Sequence, residues 1–296
     1  MKVIVCWVIG IAHHRYDAKF CQQRKLSLSI LKEFGFGKDI MEERIQAEVS
    51  VLLQQLRDVK AVAFYPDAVL MSCVLNVITS ILFGHRMDDK AVANLGSVTG
   101  NFVYNEGHLI PVDMFPLLRL LPKMRRIFAI TAAFHNQLFH IIRSSIETSD
   151  EDSFVRYYMN RERSNLDREQ LEFIVRDFVI AGSETSTSTL QWALVLLSGR
   201  DGQCVQERMW KEIDSQVPRD RLPSLADRLH LPFVEATILE VMRIRTVVPL
   251  SLPHWTSSDT TVGGYFIPAD TWASNSAVLF LTTFFIFPLI FTSTVA

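Results

Sequence analysis

The chain has 296 residues, 49% of them apolar, and a formal net charge of −2. That length holds one large domain or two small ones, with enough apolar material for a sizeable core. The near-zero charge, with no strongly basic face, points away from nucleic acid. Twenty phenylalanines against 12 glycines and 11 prolines suit a mainly α-helical protein with an apolar pocket better than a β-sandwich.

The N-terminus opens with an apolar run, Val3 to Ala12, too short to span a bilayer. It reads as a signal-like segment, with Gly10-Ile11-Ala12 as a weak cleavage pattern. Arg24 to Asp58 reads as two helices separated by the glycine-rich turn Phe34-Gly35-Phe36-Gly37-Lys38. That turn lacks the spacing of a phosphate loop. The second helix, Asp39 to Val59, sets Ile45, Val49, Leu52, Leu53 and Leu56 at three-to-four spacing against a charged face.

Pro66 to Phe83 is a mostly apolar helix that ends at Gly84. The stretch from Thr99 to Pro122 reads as looser, broken by Pro111, Pro116 and Pro122. Helical spacing resumes over Lys123 to Ile146, and a charged helix follows over Glu151 to Arg163. A long apolar helix then runs from Leu171 to Leu197. Cys204 to Ser215 is amphipathic, Val217 to Leu231 is loop-like with a short helix around Leu225, and Pro232 to Arg243 is a further helix. Beyond Pro249 the period switches. Thr260-Thr261-Val262 and Tyr265-Phe266-Ile267 around Gly263-Gly264 predict a small hairpin.

After Asp270 no charged side chain occurs, and Ala277 to Phe291 is almost wholly apolar. Two readings stand for this end: a membrane span or tail anchor, and a non-native ending. The four cysteines, Cys6, Cys21, Cys73 and Cys204, are far apart and match neither a zinc spacing nor a disulfide framework. They read as reduced thiols in a cytosol-facing protein.

The long helix breaks a local rule in its middle. Ile180-Ala181-Gly182-Ser183-Glu184-Thr185-Ser186-Thr187 puts glycine and hydroxyl residues where a buried helix needs strong helix formers. Glycine costs about 1 kcal/mol there against alanine, and hydroxyls compete with the backbone for hydrogen bonds. One reading is a loop or helix break. The other is a functional site, where small residues admit a close approach and a hydroxyl beside a carboxylate passes protons. Further along, Glu240-Val241-Met242-Arg243 sets an acid and a base three residues apart on one helix face. It reads as an ordinary surface ion pair or, given its apolar neighbours, a partly buried one.

Taken in order, these motifs resemble a cytochrome P-450. The resemblance rests on Ala181-Gly182-x-Glu184-Thr185, then ExxR at Glu240 and Arg243, then Pro249-Leu250-Ser251-Leu252-Pro253-His254 and Gly264-Tyr265-Phe266-Ile267-Pro268. It is closest to the microsomal second-family type. Leu31-Lys32-Glu33-Phe34-Gly35-Phe36-Gly37-Lys38, Arg219 to Arg228 and Leu231 to Thr237 carry that finer likeness. The resemblance covers residues 10–275, with 1–9 as a divergent hydrophobic start and 276–296 as a divergent apolar tail.

The resemblance implies a mainly α fold with a small β element near the C-terminus, a partial cytochrome P-450 architecture. It implies haem-dependent monooxygenation: one oxygen atom of dioxygen enters an apolar substrate (fatty acid, steroid or xenobiotic). The implied cofactor is haem (heme). The implied partner is an NADPH-dependent cytochrome reductase, and the implied location is the cytosolic face of the endoplasmic reticulum membrane. Ala181 and Gly182 would leave room for oxygen and substrate, and Thr185 and Glu184 would serve the oxygen chemistry and its protons. Arg24 and His254 would touch the haem propionates, and Glu240 with Arg243 would form a structural ion pair.

The sequence departs from the family in three respects. Phe20 stands where the family's Trp-x-x-x-Arg pattern has its indole, which removes one hydrogen bond to a propionate. The segments that precede this region in microsomal members have no counterpart. No Phe-x-x-Gly-x-x-x-Cys loop occurs among the 296 residues, so the axial thiolate that holds the iron is missing. The expectation is a family member truncated at both ends and inactive as this chain. The alternatives are a non-catalytic interaction or regulatory product, and an incomplete gene model.

Overall fold

The computed structural model describes residues 10–12, 16–34, 39–60, 62–107, 116–161, 167–249, 251–252 and 254–273. Nine α-helices, two short 3-10 turns and two two-stranded antiparallel sheets are seen among them. The mainly α fold with a small C-terminal β element is as the sequence implies. The chain falls into two compact units, Met1–Thr187 and Ser188–Ala296. Cys6 and the apolar stretch Ala277 to Phe291 lie outside the described residues. No described helix is long and apolar enough to cross a membrane.

The first unit is built from α1 (Ala18–Glu33), α2 (Asp39–Asp58), α3 (Asp67–Phe83), α4 (Asp89–Gly107), α5 (Pro122–Glu147), α6 (Phe154–Arg161) and most of α7 (Arg168–Ser198). Helix α1 starts where Asp17 accepts the amide of Phe20 at 2.7 Å, which satisfies one of the donors a helix N-terminus leaves unpaired. Helix α3 ends at Gly84, whose φ of +88° is the left-handed cap that glycine adopts without a Cβ penalty. Leu75, Leu82, Leu95, Leu138, Ile142, Phe154 and Ile174 are fully buried, one core drawn from α3 to α7. Inside it, the Tyr158 hydroxyl of α6 donates to Gln23 of α1.

Two readings of this region change. Helix α4 runs through Thr99 as far as Gly107, where the sequence reads as loose. Gly96, Ser97, Thr99 and Gly100 are weak helix formers, but a Cβ on Gly96 would stand 2.9 Å from Met71 on α3. The small residues are there because the two helices approach closely. The charged helix begins at Phe154, with Ser153 accepting the Arg156 amide at 3.3 Å as its cap; its predicted end at Arg163 lies outside the described residues.

The weak cleavage pattern Gly10-Ile11-Ala12 is tied to α7. The Asp177 carboxylate accepts the amides of Ile11 at 2.8 Å and Ala12 at 3.0 Å, and Gln170 donates to the Gly10 carbonyl at 3.2 Å. Gly10 has φ +103°, and a Cβ there would lie 2.4 Å from Asp177.

The second unit holds the end of α7, α8 (Arg200–Gln216), α9 (Pro232–Ile244) and the β elements. Glu212 of α8 accepts the amides of Phe233 and Val234 at 3.0 and 2.8 Å. A carboxylate at that helix start meets both unpaired amides and the positive end of the dipole. The predicted hairpin is present as β2 (Thr260–Val262) and β3 (Tyr265–Ile267), with Thr260 opposite Ile267. Gly263 and Gly264 both have positive φ, the backbone a two-residue hairpin turn requires. A second pair, β1 (His254–Trp255) with β4 (Trp272–Ala273), is not legible in the sequence. Each of its strands is two residues long and its partner lies far along the chain.

Candidate functional site

The irregular stretch of α7 stays helical. No break occurs between Arg168 and Ser198, so the loop reading of 180–187 is set aside. The hydroxyls are satisfied without leaving the helix. Ser183 donates to the Val179 carbonyl at 2.6 Å and Thr185 to the Ala181 carbonyl at 2.7 Å. This back-bonding to the preceding turn lets Ser and Thr sit inside a helix at modest cost.

Each predicted residue of this stretch has a distinct setting. Ala181 is exposed and Thr185 half-buried. Gly182 faces α3, where an added Cβ would stand 2.7 Å from Ile78 Cδ1 and 3.1 Å from its Cγ1. The missing side chain is therefore required by helix packing. Glu184 points its carboxyl toward α4. Its Oε1 is shielded from solvent with no hydrogen-bond partner among the described residues, and a Cβ on Gly100 would lie 3.3 Å from it. Burial pushes this carboxyl up from the usual carboxylate range.

The close contact at Gly182 makes a prediction. Gly182→Ala gains about 1 kcal/mol of helix propensity but overpacks a filled site at about 1–3 kcal/mol, so a net loss of up to about 2 kcal/mol is expected. Adding Ile78→Val, which removes Cδ1, restores most of that loss in a urea-unfolding double-mutant cycle. If Gly182 served an open pocket alone, Gly182→Ala would be stabilising by about 1 kcal/mol and Ile78→Val would not couple to it.

Arg24 lies exposed on α1, with no ion-pair partner among the described residues. One turn before it, Phe20 packs against Tyr16 with ring centroids 5.8 Å apart. His254 is exposed on β1, opposite Ala273. Arg24 belongs to the first unit and His254 to the second.

The Glu240–Arg243 pair forms as the spacing predicts. Arg243 Nε donates to Oε2 at 2.7 Å and Nη2 to Oε1 at 2.8 Å, a two-point contact. The Glu240 side chain is only 6% exposed and that of Arg243 33%, which places the pair at the buried end of the two readings. Hydrogen bonding to Glu240 holds the Arg243 guanidinium above its ordinary pKa.

A thiolate donor for iron is not found among the described residues. Burial, reinforced by the nearby Glu48 charge, pushes the Cys73 thiol up to about 11, so it stays protonated at neutral pH, the wrong state for a metal ligand. Cys204 donates to the Asp201 carbonyl at 3.1 Å on α8, and Cys21 is exposed on α1. No group of three or more His, Cys, Asp or Glu among the described residues can hold a metal ion.

Two features escape the sequence reading. Asp177 binds Arg176 at 2.6 Å in addition to the amides of Ile11 and Ala12, with both side chains under one-tenth exposed. Its signal in the sequence is a charged pair inside an apolar run. Gly100 faces Glu184 from a helix that reads as loose, and nothing in the sequence marks it.

Comparison with known proteins fits this arrangement. The family model "Cytochrome P450" matches residues 8–276. Cytochrome P450 2U1 of Rattus norvegicus is 32% identical over 280 residues, covering 88% of this chain and 52% of that protein. Cytochrome P450 2H1 of Gallus gallus is 33% identical over 264 residues, 84% of this chain and 53% of that protein. Cytochrome P450 1A1 of Platichthys flesus is 32% identical over 274 residues, 84% and 52%. The chain spans about half the length of the curated relatives it matches. It belongs to the cytochrome P450 family.

Proposed function

We propose that this chain carries the oxygen-facing side of a haem monooxygenase of the cytochrome P450 type. The observation that carries the reading is the half-buried Glu184 carboxyl: its Oε1 is shielded from solvent without a hydrogen-bond partner among the described residues, on a helix that stays continuous through small and hydroxyl residues. An acid with a buried oxygen and a raised pKa, next in sequence to a hydroxyl residue, is equipment suited to proton delivery.

In this reading Arg24 and His254 hold the haem propionates through charge and hydrogen bonding. Haem, when bound, supplies the activation of dioxygen that no protein side chain provides. The chain's own residues do the rest. Exposed Ala181 leaves space on its face of α7. Thr185 presents a hydroxyl kept in place by the Ala181 carbonyl, and Glu184 holds a proton one residue away. Glu240 and Arg243 fix α9 as a structural pair. The substrate is apolar, of the fatty acid, steroid or xenobiotic kind. An NADPH-dependent reductase supplies electrons, at the cytosolic face of the endoplasmic reticulum.

The donor set bears on competence. Among the described residues Cys73 is held as a thiol and Cys204 gives its S–H to a carbonyl, and the 296 residues contain no Phe-x-x-Gly-x-x-x-Cys. These residues by themselves do not form a thiolate-ligated haem centre and do not turn over substrate. The reduced-plus-carbon-monoxide spectrum of the haem-supplemented protein tests this. No red-shifted Soret band is expected, and its presence would show that a cysteine of this chain does ligate the iron.

A further inference from the structure

We propose that Gly100 on α4 is a positioning residue for Glu184: the missing side chain at Gly100 leaves the carboxyl a resting place in the seam between α4 and α7. A Cβ at Gly100 would stand 3.3 Å from Oε1, the nearest heavy atom it would meet. Gly96, one turn earlier, differs in kind. Its Cβ would meet the packed side chains of Met71 and Leu75, so Gly96 serves helix packing. Gly100 is small toward a single carboxyl oxygen, and that oxygen has no hydrogen-bond partner among the described residues.

Such a place suits a protonated acid. An ionised oxygen shut away from water and donors is strongly disfavoured, whereas the neutral carboxyl tolerates it. Burial is the cause that raises the pKa of Glu184. Among the described residues no charged group on a flanking element contributes to that rise; the titratable group of α5 that packs on α4 and α7 is His135, against Phe102 and Phe173. On α7 the nearest ionisable residue is Asp177, two turns upstream and paired with Arg176. On α3 the residues facing this stretch are Ile78 and Met71, neither ionisable. On α4 the titratable residue on the same side is Tyr104, one turn beyond Gly100.

The inference rests on the reading of Glu184 as a proton carrier. A carrier must keep its proton at working pH and release it when it moves to water or substrate. The seam provides the keeping position. A methyl group at Gly100 crowds that place, so the carboxyl must give way by a few tenths of an ångström, and it can do so without disturbing backbone contacts because the atom that yields is the far end of a flexible side chain.

Difference infrared spectroscopy on the full chain, across an acid-to-neutral pH step, tests this. The wild type is expected to show the carbonyl stretch of a protonated acid free of hydrogen bonds, and Glu184→Gln to lack that band. In Gly100→Ala, with a native helical spectrum, the band moves to the frequency of a solvated acid, and its titration midpoint falls toward that of an ordinary glutamate. A band and midpoint unchanged in Gly100→Ala overturn the role of Gly100 while leaving Glu184 as a proton carrier. A wild type without the band, indistinguishable from Glu184→Gln, overturns both.

Discussion

Asp177→Ala is expected to destabilise the first unit by about 3–5 kcal/mol, the largest single effect in this chain. Asp177 and Arg176 form a buried ion pair at 2.6 Å, and the Arg176 guanidinium also stacks 4.7 Å above the Phe173 ring. Removing the carboxylate leaves a buried cation whose other contact is an aromatic face, worth far less than the lost partner. The same change releases the Ile11 and Ala12 amides, both held by Oδ2. Two readouts follow: a lower urea midpoint, and faster hydrogen exchange at those two amides. Asp177→Asn keeps one acceptor but turns its NH2 either toward the guanidinium, at the Oδ1 position, or toward the Ile11 and Ala12 amides, at the Oδ2 position, so an intermediate loss is expected. A midpoint within about 0.5 kcal/mol of wild type, the range of ordinary surface substitutions, would contradict the buried-clasp account.

Arg243→Ala is the second large effect, at about 2–3 kcal/mol. It strands the Glu240 carboxylate, whose side chain is 6% exposed. The full cost of a broken buried pair is reduced here because Arg243 itself is one-third exposed and partly solvated. Arg243→Lys keeps the charge but not the two-point geometry, and about half of the loss remains. Four of the five tryptophans, Trp192, Trp210, Trp255 and Trp272, belong to the second unit, so tryptophan emission during urea unfolding reads this unit selectively. An Arg243→Ala transition that overlays the wild type would return the pair to the surface class.

How much of this was legible in the sequence depends on the range over which each feature is decided. Helix α3 is readable because its apolar run, the preceding Pro66 and the closing Gly84 are all local. The β2–β3 hairpin is readable for the same reason, since two adjacent glycines dictate the turn. The end of helix α4 is misread because Pro111, Pro116 and Pro122 mark the stretch from Thr99 as broken, while what Gly96 and Gly100 serve lies in neighbours on α3 and α7. The middle of α7 sits between these cases. The rule-breaking residues are visible, but the helix survives because carbonyls one turn back accept the Ser183 and Thr185 hydroxyls. The Glu240–Arg243 pair is legible as spacing, and its partial burial is one of the two readings that its apolar neighbours leave open; which of them holds depends on what covers Glu240.

The site divides in the same way. Glu184 and Thr185 are singled out by the motif, and the shielded setting of the Glu184 carboxyl is visible only in three dimensions. The reason for Gly182 shifts: beyond the space the motif suggests, it makes room for Ile78. The β1 strand that carries His254 pairs with a segment 18 residues on (His254 with Ala273, a separation of 19; Trp255 with Trp272, 17), beyond the reach of local pattern.

On the proposed reading, α7 carries oxygen-facing residues of a haem pocket and no cysteine among the described residues supplies its thiolate. The most direct test is the reduced-plus-carbon-monoxide spectrum, recorded on the 296-residue protein and on a fusion that joins to Ala273 the C-terminal segment of a relative carrying the cysteine loop. The account predicts no red-shifted Soret band for the chain alone and its appearance in the fusion. A fusion that folds and takes up haem without that band, or a chain that shows the band by itself, would contradict it.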